Sequence, residues 1–463
     1  MKPIHIAASL ILLLSSSTFA PAMDLSGDSR SYLQYRQDFD GTRELPLYEY
    51  LDLQTTNIGD ESVSFQFGGW YRYDLKNVPD QDSTAGDLQY AYLDLHAKRG
   101  NTFLRLGRVL VNEGVCNEQV DGAYARTDLR GGFTVAAYGG LPVETDWDSR
   151  TGDSVYGGRV SQGLPGIYTL GVSFVMEQDN STDFRKEGGI DVWVQPFSKL
   201  TVQGMSSYNF LSSGPFNALS SGPTTTLDRG WMQHQYYLLL GPFGDLRLTG
   251  EYSKVYYQRY FWATNLSAFT FPNIDPNETV TTIGGSADYS INQSFTIGAD
   301  YKNFDYDLAN NSAKYYGGRL TYAATGLGAG LAVHRMDGPT DSLQYDDLRV
   351  YVTKKIQKVD ITLDFLWVHY QQAINGVDNA YTGVAAAGLM LSPKAKIVAD
   401  VEYSKNPDFD KDVRGMLTLV YSFDVSTAKK SAGAAGRSDS ALASRYRSTP
   451  SGGAADATRL AGL

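Results

Sequence analysis

Side chains that alternate between apolar and polar over ten or more residues confine a chain to extended strands, because only a strand sends successive side chains to opposite faces. The stretch from Ser62 to Asp74 reads Ser-Val-Ser-Phe-Gln-Phe-Gly-Gly-Trp-Tyr-Arg-Tyr-Asp. Val63, Phe65, Phe67, Gly69, Tyr71 and Tyr73 share one face; Ser64, Gln66, Gly68, Trp70, Arg72 and Asp74 share the other. A strand of this length crosses a bilayer when tilted, and its aromatic residues gather towards one end, where a membrane interface holds them. The same unit recurs from residues 30–39 to residues 413–425, giving about 22 candidate strands, an even number as bacterial single-chain barrels require.

The connections test this independently. Every second one is short and rich in Gly, Pro, Asn or Ser: Gly59-Asp60-Glu61, Arg130-Gly131, Gly241-Pro242-Phe243-Gly244, Asn292-Gln293 and Ser392-Pro393 are examples. The intervening ones are longer and polar, at residues 76–87, 141–153, 211–230, 259–278, 337–346 and 371–380. Acidic residues crowd the long connections (Asp80, Asp82, Asp87, Glu144, Asp146, Asp148, Asp153), whereas the short ones lean basic (Lys98, Arg99, Arg130, Lys199). The expectation is an all-β fold: a transmembrane antiparallel up-and-down β-barrel of about 22 strands, within a range of about 18–22, with short periplasmic turns, long extracellular loops and no plug domain.

The two ends differ from the middle. Lys2, the apolar run of residues 6–14 and Ala20-Pro21-Ala22 have the layout of a secretory signal peptide over residues 1–22. Residues 23–425 carry the barrel pattern, and residues 426–463 form an Ala-, Ser- and Gly-rich basic tail with the composition of a disordered periplasmic extension. The 463 residues carry a formal net charge of -11, which argues against nucleic acid as a partner. One cysteine, Cys116, lies in a connection at residues 112–119; alone it excludes a disulfide framework, haem attachment through paired cysteines and a multi-thiolate metal site. His96, His234, His334 and His369 do not neighbour a serine in a hydrolase-like pattern, so no enzyme, cofactor or metal site is expected.

Charge has one tolerable place in such a barrel. Arg or Lys on the lipid face at mid-depth costs about 2–4 kcal/mol, so strand charges belong on the inner face. This assigns Arg72, Asp74, Asp94, Arg105, Arg159, Arg247, Glu251, Asp300, Lys302, Arg319, Asp364, Asp400 and Glu402 to the lumen wall. The connection at residues 259–278 is unusually apolar, with Tyr260, Phe261, Trp262, Phe269 and Phe271; it is read as a segment that folds inward to constrict the lumen or binds a partner.

As a whole the chain resembles outer-membrane porins. The stretch Leu106-Gly-Arg-Val-Leu-Val-Asn-Glu-Gly-Val, with Val120-Asp-Gly-Ala-Tyr-Ala-Arg-Thr-Asp-Leu and Ala137-Tyr-Gly-Gly-Leu-Pro-Val-Glu, resembles the barrels of Geobacter-type porin–cytochrome conduits. The first resemblance implies an integral outer-membrane channel for small hydrophilic solutes or ions, to which the acidic loops add a preference for cations. The second implies a sheath around a multihaem cytochrome for extracellular electron transfer. A barrel that binds surfaces through its long loops is a third reading. The partners expected are outer-membrane lipid and lipopolysaccharide, the barrel-assembly machinery and, for a sheath, the cytochrome.

Overall fold

The computed structural model describes residues 24–37, 41–58, 62–76, 83–98, 100–143, 151–180, 182–211, 229–257, 259–260, 277–409 and 411–426. Twenty-two antiparallel strands form a closed barrel, each strand beside its neighbours in sequence. The first strand, Asp24–Gln37, pairs with the last, Asp412–Ser426, which closes the sheet. Across that seam the Ser422 hydroxyl donates to Asp28 Oδ1 at 2.5 Å. The second wall strand is in two pieces, Arg43–Glu44 and Pro46–Thr56, both laid against the first. Closure is what lets such a wall exist in lipid, since an open edge would leave backbone N–H and C=O groups without partners.

The alternation has the expected consequence. Val172, Ile190, Ile283, Leu331, Leu363 and Val401 are exposed and share the outer face, where hydrocarbon rather than water surrounds them. Their neighbours in sequence point inward. No helix among the described residues is long and apolar enough to span a membrane, and none forms a plug.

The regular parity of loops is only partly present. Strands Val359–Ile374 and Val377–Ser392 run through the connection expected at residues 371–380 and meet at Asn375 (φ 49°) and Gly376 (φ 80°). Both central residues of this two-residue turn have positive φ, the geometry that Asn-Gly favours because it matches the twist of the paired strands. The first strand begins at Asp24 rather than at residue 30 and ends at Gln37. The largest departure is at residues 112–119. There Phe103–Glu113 and Cys116–Asp128 continue as strands almost to their shared turn, Gly114-Val115. The signal peptide and tail expected at the two ends lie outside the described residues.

Candidate functional site in the lumen

The inner face is built from cross-strand ion pairs. Lys302 Nζ lies 2.7 Å from Glu251 Oε1. Arg319 reaches Asp288 at 2.7 Å and Asp300 at 2.8 Å. Asp300 also faces His334 Nε2 at 3.2 Å, and the other ring nitrogen is 3.3 Å from Asp347. Asp364 accepts from Arg349 at 2.6 Å, and Arg72 lies 3.4 Å from Asp74. Apart from Arg72 and Asp74, which are two apart on one strand, these contacts join different strands because antiparallel register brings them together: Asp288 faces Gly298, which faces Arg319. Arg247 faces Asp288 from the adjoining strand, and Asp400 and Glu402 share the inward face of Ala395–Lys405.

Near Gly107 the wall changes course. The strand Thr84–His96 pairs with Phe103–Glu113 only from His96↔Phe103 to Ala91↔Arg108. Gly107 has φ 127°, and a Cβ there would lie 2.3 Å from the Ala91 carbonyl oxygen, so only glycine fits this bend. Above it the strand leaves its neighbour. Two side chains satisfy the backbone thus deserted: Arg108 Nη1 donates to the Leu88 carbonyl at 3.0 Å and Gln119 Nε2 to the Gln89 carbonyl at 3.0 Å. Arg108 is held in turn by a bidentate contact with Asp121, both bonds at 2.8 Å.

The hairpin tip that peels away lies against the inner wall. Val109, Val111, Cys116 and Val120 are completely buried and pack with Tyr138, Val155 and Val175, inward residues of the strands Phe133–Pro142, Ser154–Leu164 and Tyr168–Asp179. Each fully buried valine contributes about 1.5–3 kcal/mol relative to exposure. The wall receives the tip on small residues. A Cβ on Gly189 would meet Val115 Cγ1 at 2.2 Å. The turn's polar groups are met as well: Val115 N–H donates to Ser173 Oγ at 3.0 Å, and Arg185 Nη2 donates to the Val115 carbonyl at 3.0 Å. Arg185 also bonds Glu118 at 2.5 Å and Glu187 at 2.7 Å. On the other side of the turn, buried Glu113 accepts from Tyr124 at 2.6 Å and Arg126 at 3.2 Å, with Arg159 at 3.7 Å. The face turned away from this contact carries Leu110, Asn112 and Asn117, all exposed. The lumen therefore holds a two-stranded inner hairpin fixed to one side of its wall.

Of the residues predicted to line the lumen, Asp94 and Arg105 form one pair at 3.0 Å, with the Arg105 guanidinium also over the Phe103 ring at 4.6 Å. Arg159 lies beneath the hairpin and bonds Asp191 at 2.6 Å. Tyr260 is half-buried beside Arg259, whose Nη1 donates to the Trp231 carbonyl at 3.2 Å; Phe261, Trp262, Phe269 and Phe271 lie outside the described residues. Sequence reasoning missed the inner hairpin. The connection expected at residues 112–119 is instead the end of this hairpin, and Cys116 is wholly buried in the contact between hairpin and wall. Local alternation does not mark it: Val-Leu-Val-Asn-Glu-Gly-Val-Cys-Asn-Glu-Gln-Val runs in short apolar and polar blocks.

The architecture can be set beside solved structures. The ferric enterobactin receptor of Pseudomonas aeruginosa aligns with 87% of this chain and 81% of its own, at 10% identity and a TM-score of 0.52. OccAB4 of Acinetobacter baumannii covers 89% of this chain and all of its own length, at 12% identity and a TM-score of 0.44. The outer membrane protein OpdK of P. aeruginosa covers 87% and 99%, at 9% identity and a TM-score of 0.43. No protein-family model and no curated protein sequence matches. The chain is an integral outer-membrane β-barrel. At these identities the likeness concerns the fold alone.

Proposed function

We propose that this barrel is a non-enzymatic channel for passive diffusion of small hydrophilic solutes and ions, narrowed on one side by the inner hairpin. The observation that carries the reading is the inward face itself: a wall of hydrogen-bonded charges is stable only against water or a polar guest, and the hairpin covers one arc of it. Cations are the favoured ions. Acidic residues crowd the long connections, and the whole chain carries -11.

The test is reconstitution of the purified chain in planar bilayers under a KCl gradient. Stable conductance steps, with a reversal potential of the sign set by potassium, are expected. Absence of conductance together with a tightly co-purifying haem protein would overturn the channel in favour of a cytochrome sheath. Conductance with a reversal potential of chloride sign would overturn the cation preference alone.

A further inference from the structure

Aromatic residues of an outer-membrane barrel ordinarily belong to the girdles that face lipid. On the first four wall strands a set of them faces inward. Tyr32 pairs with Tyr48, Tyr48 with Arg72, Tyr50 with Trp70, Gly68 with Tyr90 and Gln66 with Tyr92, so the five rings and Trp70 share a face with the lumen charges Arg72 and Asp74. They also touch. Ring centroids lie 5.3 Å apart for Tyr32 and Tyr50, 6.0 Å for Tyr48 and Trp70, and 6.3 Å for Tyr50 and Trp70. Tyr90 lies across Gly68, where a Cβ would come within 2.3 Å of the ring, and its centroid is 6.1 Å from that of Tyr92. Tyr32, Tyr48, Tyr50 and Trp70 are half-buried, so each keeps ring surface open to the lumen. Apolar ring surface held towards water is unfavourable at about 25 cal/mol per Å² unless something covers it.

The flanking groups say what kind of cover fits. Arg30 is exposed on the same face, opposite Tyr50. Asp52, also exposed, accepts the Tyr90 hydroxyl. Gln66 accepts the Tyr92 hydroxyl at 2.7 Å, and Asp74 lies beside Arg72. Ring faces thus alternate with donors and acceptors, and acids are at least as numerous as bases. An aromatic anion would stack but meet Asp52 and Asp74. A neutral sugar has flat C–H faces for the rings and hydroxyl edges for both kinds of polar neighbour.

We propose that this inward aromatic face is a saccharide-binding track, with Trp70, Tyr48 and Tyr50 as its stacking surface and Arg30 and Asp52 as hydroxyl partners. The proposal rests on the channel reading only for the route by which sugar arrives, not for binding. Maltohexaose is the probe, with benzoate as the planar anion. Calorimetry on the detergent-solubilised full chain is expected to show maltohexaose binding, and in bilayers the sugar is expected to interrupt the current. Trp70→Ala should weaken both about tenfold, the loss of one stacked ring. Tyr50→Ala should act in the same direction, and heat-modifiable gel mobility shows that each variant is folded. Sugar binding without any conductance would support the track and overturn the channel. Conductance without sugar binding, equal affinity in folded Trp70→Ala and Tyr50→Ala, or binding of benzoate in place of maltohexaose would overturn the track.

Discussion

Between Thr84 and Asn209 the inner face of the barrel is covered; between Thr279 and Lys405 it is lined by ion pairs within reach of solvent. On the covered side Val109, Val111 and Val175 are completely buried and even charged Arg185 and Glu187 are nearly so. On the other side His334 and Asp347 are the best-shielded members of their cluster, yet both keep part of their side chains exposed. The strands of the two regions look alike in sequence. What separates them is one bend at Gly107, which turns a segment of wall into a filler. The same alternating pattern thus makes a membrane wall in one place and a small hydrophobic core in another, according to what lies on its inward side.

Gly189→Val bears hardest on this contrast. The new side chain would occupy the space of Val115, so the hairpin should leave the wall and single-channel conductance should rise severalfold; unchanged conductance would show that the hairpin does not set the pore's width. Arg185→Ala comes next. It strips Glu187 of its buried partner and the Val115 carbonyl of a donor. Breaking a buried pair costs about 3–5 kcal/mol, so the folded band in heat-modifiable mobility should be lost at a markedly lower temperature. Arg319→Ala removes an equally well-bonded cation from the other side, where solvent screens the pairs. Its expected effect on stability is no more than about 1 kcal/mol, with a measurable shift of reversal potential towards cations. If it destabilises as much as Arg185→Ala, the two sides do not differ in the way described. The smallest signal is chemical: a bulky maleimide should label Cys116 slowly in the native barrel and rapidly in Gly189→Val.

Fold class was legible because lipid imposes one rule on every strand, and twenty-odd repetitions of it leave little ambiguity. Strand ends were less so. The turn at Asn375-Gly376 was hidden by a polar run, Gln371-Gln372, that reads as loop but continues as strand to Ile374. The inner hairpin was illegible for a physical reason: alternation says which side chains share a face, not which surface that face will meet. Val109, Val111 and Val120 are apolar on the inward side, and no local rule distinguishes that from a small irregularity in the wall. Trp70 shows the same gap, since its position on the polar face of Ser62 to Asp74 made it look like an exception rather than part of a surface.

The seam beside the inner hairpin has a further consequence. The ladder from His96↔Phe103 to Ala91↔Arg108 stops although neither strand has ended: Thr84–His96 runs on above Ala91 and Phe103–Glu113 runs on to its turn. Continued in the same register, it would set Tyr90 opposite Val109, Leu88 opposite Val111 and Gly86 opposite Glu113. Each backbone hydrogen bond of such an extension has a net worth of about 0.5–1.5 kcal/mol, a sum comparable to what the buried valines contribute where they now lie. The segment thus gives up ladder hydrogen bonds along the wall for burial of its valines against the inner face, and Gly107 is where the one arrangement passes into the other.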